Sequence, residues 1–392
     1  MQSRFELGKG YSVNLPTLAS VLASRKLPGL DGFRMIAVMA VVLAHSGVGS
    51  FFSARHGVAG FFVLSGFLIT WLLLKEHEKA GRISLRDFYM RRSLRIFPAY
   101  YVFLFASIGW DLFRGNDDIK DVILPGLFYL MNYYNALEGH STSSLAHLWS
   151  LAIEEQFYLL WPLAFIFLIQ RGKNFVISFL VVVSIIVMVW RTYSFSILDF
   201  GTSYVYNASD TRFDNLAIGC ALAFLLEKKY FLELADKLSS RFWMPLITLV
   251  LLTISRQVTG SDYTYGLAFT VDAILLGVLL LQLMRLSQGR VWSWLNHPIS
   301  VYLGLISYPI YLWHVWGIQA GNKLNFLPES LQLVAGVVIS CMLAALSYHL
   351  LEKRFLSLKH KYERAKVGSN LTLAAVKSEN SMSAAFEKGR SS

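Results

Sequence analysis

The chain has 392 residues, of which 55% are hydrophobic and only 16% charged, with 36 Lys and Arg against 25 Asp and Glu. That balance is too apolar for an ordinary soluble domain, and no hydrophilic block is long enough to fold as a second one. The net charge of +11 does not point to nucleic acid, because the basic residues lie between apolar runs and not on one soluble face. Cys220 and Cys341 both sit in apolar segments, where neither a metal site nor a disulfide is expected.

Residues 1–29 are polar and basic, show no cleavable signal peptide, and read as a cytoplasmic segment. A helix crosses the hydrocarbon core with about 20 mostly apolar residues. Candidate spans follow at 31–49, 57–75, 96–112, 147–169, 174–191, 213–227, 243–257, 264–284, 299–321 and 331–351. The 121–134 stretch is shorter and carries Pro125 and Gly126, so hydropathy alone does not say whether it crosses. Loop charge does. With the N-terminus inside and 121–134 not crossing, most Lys and Arg face the cytoplasm, above all the run from Lys75 to Arg95. A crossing at 121–134 would invert every later loop and destroy that bias. The predicted fold is all-α: a polytopic transmembrane helix bundle of about ten spans, both termini cytoplasmic, with 121–134 re-entrant or interfacial. Residues 30–356 form the membrane domain. The Ser-, Lys- and Glu-rich stretch 357–392 is expected to be a disordered cytoplasmic tail. No internal repeat is visible, which weighs against an inverted-repeat transporter.

Ionisable residues inside such spans are expensive, at about 2.5–3.5 kcal/mol each on the lenient insertion scale, and normally face a cavity or a partner. In the first span, Arg34 and His45 are 11 residues apart. They share one face and are separated by about 16 Å along the axis. Asp31, one turn before Arg34, is a candidate ion-pair partner. A snorkelling Arg34 and a hydrogen-bonded structural His45 are equally compatible with that spacing. Arg92 and Arg95, at i,i+3 on the third span, suit bidentate phosphate binding, but they also suit a topology determinant or an anionic-lipid contact. The fourth span opens His147-Leu148-Trp149-Ser150 and carries Glu154 and Glu155 about two turns deeper. Two adjacent carboxylates there are hard to explain by packing and favour a functional role. His147 and Glu154 face the same way, and at most one of the two carboxylates shares that cavity. Arg212 and Asp214 open the sixth span as an ion pair or as part of a site, and His314 follows Ser307-Tyr308-Pro309 in the ninth. Tyr348, His349 and Glu352 close the last span. The topology sorts these residues into a cytoplasmic basic set (Arg34, Arg92, Arg95, with Glu352) and an outer set (His45, His147, Glu154 or Glu155, Arg212, Asp214, His314). A His oriented by a carboxylate would serve as general base for a hydroxyl.

Taken together, these motifs resemble the acyltransferase-3 family of integral membrane acyltransferases over nearly the whole length, from Leu27 to Phe355. They are Arg34 and His45; Arg92-x-x-Arg95 followed by Ile96-Phe97-Pro98; Trp149-Ser-Leu-x-x-Glu-Glu-Gln-Phe-Tyr158; Arg212-Phe213-Asp214; Ser307-Tyr308-Pro309 with Tyr311 to His314; and Glu352. The resemblance implies an O-acyltransferase, most often an O-acetyltransferase, of the bacterial inner membrane. It would move an acyl group from cytoplasmic acyl-CoA, typically acetyl-CoA, to a hydroxyl of a glycan or glycolipid such as O-antigen, exopolysaccharide, peptidoglycan or lipo-oligosaccharide. Some relatives modify macrolides. His45 would be the catalytic residue, with Glu154 or His314 as its partner. Arg92 and Arg95, joined by Arg34, would hold the CoA phosphates. His147, Glu155, Arg212 and Asp214 would lie on the acceptor side. No metal or permanently bound cofactor is expected, and the partners are the two substrates and membrane lipid. Some members append an extracytoplasmic SGNH-type hydrolase domain. Here a short tail stands in its place, so the membrane domain is expected to complete the transfer. A glycan or lipid exporter, or a scaffold subunit of a polysaccharide-synthesis complex, are the competing readings.

Overall fold

The computed structural model describes residues 15–24, 26–47, 53–258 and 260–358. The expected tail lies outside the described residues except for 357 and 358, as do positions 1–14 and the end of the first candidate span at 48–49.

Among the described residues every regular element is a helix. A short α1 (Leu18–Leu22) precedes α2 (Leu30–His45), α3 (Ala54–Ala80) and α4 (Leu85–Phe113). Two short helices, α5 (Ile119–Leu127) and α6 (Met131–Glu138), lead to α7 (Trp149–Ile169) and α8 (Lys173–Ser196). The chain continues through α9 (Gly201–Asn207), α10 (Phe213–Leu225), α11 (Lys229–Leu238) and α12 (Met244–Gln257). It ends with α13 (Ala268–Leu286), α14 (Pro298–Leu305), α15 (Ser307–Asn322) and α16 (Glu329–Ser347). Six of the helical stretches are long and apolar enough to cross a membrane, those at 54–80, 85–113, 146–169, 173–196, 263–286 and 329–358. The other expected spans fall on the shorter α2, α10, α12 and the α14–α15 pair. The ninth span is interrupted at Ile306, and Pro309 falls in the first turn of α15. There its missing N–H has no intrahelical partner to lose.

The 121–134 stretch resolves into α5 and α6 with a break between them. Nine residues of α5 rise only about 14 Å, half of the hydrocarbon core, so this segment does not cross. At the break, Tyr129 takes a left-handed backbone with φ of 55°. Its ring stacks 4.1 Å from that of Tyr100, and the Gln156 side-chain amide donates to its carbonyl at 3.0 Å.

The centre of the bundle is α3, whereas α8 and α16 lie at its rim: 78% of the apolar window of α3 is buried against 17% and 22% for theirs. α10 lies flush on α3 because both helices carry glycine at the crossing. A Cβ at Gly66 would strike the Leu216 carbonyl, and one at Gly219 the Val63 carbonyl. Small residues at such crossings let helix backbones approach where lipid supplies no hydrophobic drive. α15 and α16 meet in the same way at Gly321 and Gly336. Two buried ion-pair groups pin the periphery to this centre. Arg191 pairs with Asp214 at 3.0 Å, both fully buried. Asp272 receives Arg55 at 2.9 Å and His56 at 3.1 Å. Arg55 and Arg191 are therefore folded into the helix packing.

Candidate active site

Three helices run from one cluster of candidate site residues to the other. α2 begins with Asp31, which pairs with Arg34 at 2.8 Å, and ends at His45, about 16 Å further on. α7 is entered through His147 and reaches Glu154 seven residues later, about 10 Å deeper. α15 starts with Ser307 and Tyr308 and brings His314 up two turns on.

At one end of these helices lies a cavity lined by Arg34, Arg92, Arg95, Glu154, Glu155 and Tyr158 among others. Ser65 Oγ donates to Glu154 Oε1 at 2.9 Å. The Tyr158 hydroxyl lies 2.9 Å from Ser65 Oγ and 3.3 Å from Glu154 Oε2. The Arg92 guanidinium stacks 4.2 Å over the Tyr158 ring. Arg34, Arg92 and Arg95 all line this cavity, so their guanidiniums border the space an anionic ligand would fill. Planar guanidiniums at i,i+3 match phosphate oxygens in a way that a point charge does not.

At the other end is a second cavity, whose walls include His45, His140, His147, Trp149, Tyr206 and Tyr311. The His314 ring centre lies 5.0 Å from that of His45 and 5.0 Å from that of His147. His45 Nδ1 lies 2.9 Å from the Val41 carbonyl, and His314 Nδ1 lies 2.7 Å from that of Tyr311. A carbonyl only accepts, so each Nδ1 carries the proton and each Nε2 presents a lone pair. The loop bearing His140 and His147 is fastened from two sides. Asp111 accepts from the Ser144 amide at 2.7 Å and hydroxyl at 3.1 Å, and Asp118 from the Thr142 hydroxyl at 2.7 Å and amide at 3.0 Å. The Thr142 bonds hold the Asp118 carboxyl below its ordinary range.

The two cavities share a wall, since Val58 and Tyr311 line both. The Tyr311 hydroxyl donates to the His147 carbonyl at 3.0 Å, so the 2.6 Å contact with Ser150 has the Ser150 hydroxyl donating to Tyr311.

The expected residues divide as follows. Arg34, Arg92 and Arg95 come together in the arginine cavity. His45 and His147 line the histidine cavity, and the buried His314 ring packs against both. Glu154 and Glu155, which the topology had grouped with the histidines, line the arginine cavity instead. The two turns between Trp149 and the carboxylates carry them past the shared wall. A carboxylate holding His45 is also corrected: its bond goes to the Val41 carbonyl, and Glu154 is engaged by Ser65 and Tyr158. Asp214 pairs with Arg191 rather than Arg212, and Thr270 also donates to it. Arg212 is fully buried behind Trp149 and Tyr206. Glu352 is buried where α16 ends in a wide π-turn. Sequence reasoning did not single out Ser65, Ser150 or His140. Ser and His in loops or apolar helices carry no spacing signal, and only the packing of α3, α7 and the 139–147 loop brings these three to the cavities.

The profile of the acyltransferase-3 family, described as an acyltransferase domain, matches residues 27–349. The chain is 32% identical over 358 residues to "Putative peptidoglycan O-acetyltransferase YrhL" of Bacillus subtilis, covering 84% of this chain and 55% of that one. It is 30% identical over 359 residues to the peptidoglycan O-acetyltransferase OatA of Listeria monocytogenes, covering 84% and 56%. The chain thus spans little more than half the length of these relatives. No solved structure is a significant match. A family profile that covers most of the chain, on an all-helical bundle with several membrane-crossing helices, makes this multi-pass integral membrane protein a member of the acyltransferase-3 family.

Proposed function

We propose that this protein is a membrane O-acyltransferase that takes an acyl group, most simply acetyl, from acyl-CoA in the arginine cavity and delivers it to a glycan hydroxyl in the histidine cavity. The observation that carries this reading is the wall of Val58 and Tyr311 common to two otherwise separate cavities, one cationic and one rich in imidazole. The names of the relatives support an O-acetyl product and a peptidoglycan-type acceptor. The positive-inside bias supports a cytoplasmic arginine cavity and a histidine cavity facing away from the cytoplasm. In this reading the membrane is the bacterial inner membrane.

Arg92 and Arg95 bind the donor phosphates, with Arg34 set in place by Asp31. Glu154, Ser65 and Tyr158 form the polar floor of that cavity. His45 Nε2 takes the proton of the acceptor hydroxyl as its oxygen attacks the thioester carbonyl. The carbon–sulfur bond breaks, and the imidazolium returns the proton to the departing thiolate to give free CoA. The Nδ1–H bond to the Val41 carbonyl keeps the reactive nitrogen aimed outward and stabilises the imidazolium. The test is transfer of radiolabel from acetyl-CoA to peptidoglycan-type oligosaccharides by the purified protein in proteoliposomes. Labelled product in the wild type and about a hundredfold less with His45→Ala is expected. Glycan movement across the vesicle without consumption of acyl-CoA would instead establish an exporter.

A further inference from the structure

We infer that Arg212 is the anion-binding subsite of the histidine cavity, and that the acceptor carries a carboxylate or phosphate which this guanidinium grips. The inference rests on the acyl-transfer reading only in calling the ligand an acceptor. Arg212 is fully buried, yet its Nε, Nη1 and Nη2 all lack a hydrogen-bond partner among the described residues. Around it stand four rings, with Phe269 at 4.2 Å, Tyr206 at 5.4 Å, Phe62 at 5.6 Å and Trp149 at 5.8 Å from the guanidinium carbon. Ring faces attract the charge but do not accept its in-plane N–H groups, and five donors remain to be satisfied.

The neighbouring carboxylates are fewer than the guanidiniums. Asp214 Oδ2 is taken by Arg191 and Thr270, its Oδ1 has no hydrogen-bond partner and forms no ion pair with Arg212, and Asp272 is taken by Arg55 and His56. Arg55 and Arg191 each have a carboxylate partner, and Arg212 has none. An uncompensated buried cation is strongly unfavourable, so an anion from outside is the natural complement. The way in is through the histidine cavity, because Trp149 and Tyr206 both line it and both face Arg212. Tyr206 sits on the short α9 and is half-buried, so a swing of its ring uncovers the guanidinium. A planar guanidinium takes carboxylate or phosphate in a bidentate fork, whereas a neutral sugar offers no charge to offset. The negative group is either the carboxylate of a sugar acid or the phosphate of a lipid-linked carrier.

The experiment is thermal unfolding of the full chain in detergent, without acyl-CoA, against four probes: methyl glucuronide, its neutral twin methyl glucoside, decyl phosphate and decanol. The wild type is expected to be stabilised by one anionic probe and not by its neutral counterpart, and the responding probe identifies the source of the charge. In Arg212→Met the apparent Kd for that probe rises at least about tenfold, and Arg212→Lys falls between the two because it keeps the charge without the fork. Tyr206→Ala opens the cage without touching the guanidinium and is expected to tighten binding. If Arg212→Met does not fold, the Lys and Tyr206 variants decide the matter. An absence of anion-specific stabilisation in the wild type overturns the inference, as does undiminished binding in Arg212→Met or unchanged binding in both other variants. Because no acyl donor is present, these outcomes are independent of whether label is transferred from acetyl-CoA.

Discussion

Replacing His45 with alanine removes the imidazole whose Nδ1–H bonds the Val41 carbonyl at 2.9 Å and which lines the histidine cavity. General-base catalysis contributes typically about 10²–10⁴-fold, or roughly 3–5 kcal/mol of barrier. The neighbouring His314 ring, 5.0 Å away with an unpartnered Nε2, is placed to supply part of that function. The single variant is therefore expected near the lower figure and the His45→Ala/His314→Ala double variant near the upper one. Arg34 lies about 16 Å along α2 from His45, so the KM for acyl-CoA should stay within about twofold. Initial rates with labelled acetyl-CoA at varied donor and acceptor concentrations separate the two parameters. An unchanged kcat, or a loss carried by the KM for acyl-CoA, would refute both the role of His45 and the division into two cavities.

The opposite split is expected at the other end. Arg92→Ala or Arg95→Ala should each raise the KM for acyl-CoA by roughly 10–100-fold, the worth of a charge-assisted hydrogen bond, with kcat little changed. Asp214→Asn leaves Arg191 charged and buried without its partner, and should lower unfolding stability by about 3–5 kcal/mol. A melting temperature in detergent equal to wild type would contradict that. Gly219→Leu drives a side chain into the Val63 carbonyl and is expected to abolish folded protein, as judged by size-exclusion chromatography. The Asp118 carboxyl is lowered by its Thr142 bonds, so their contribution is present above the unfolded value near about 3.9 and is lost as pH falls through the lower folded value. Exchange of the Thr142 amide should accelerate in that acid window, and Asp118→Asn should remove the pH dependence.

Much of the fold could be read from the chain because the bilayer imposes a simple rule: backbone groups must be satisfied within each span, so long apolar runs become helices. That rule placed spans at 57–75, 96–112 and 174–191, which fall within the observed helices at 54–80, 85–113 and 173–196. The loop-charge bias was what kept 121–134 from crossing. Helix periodicity likewise put Arg34 and His45 on one face at opposite ends of one helix, and Arg92 beside Arg95. Spacing along a helix says how deep a residue lies, but not where the neighbouring cavity ends.

For that reason Glu154 was grouped with the histidines, although about 10 Å of rise carries it past Tyr311 into the arginine cavity. Partner choice was equally out of reach. Asp214 is two residues from Arg212 in sequence but bonds Arg191, because α8 and α10 pack side by side there. The sequence by itself determined the helices, the ionisable residues within them and the family they belong to. Only the tertiary structure decided which of those residues share a cavity, that Tyr311 forms the wall between the two, and that Arg212 is left in a ring of aromatic faces without an acceptor. Helix periodicity is a local property of the chain, whereas cavities and ion pairs form where distant helices meet.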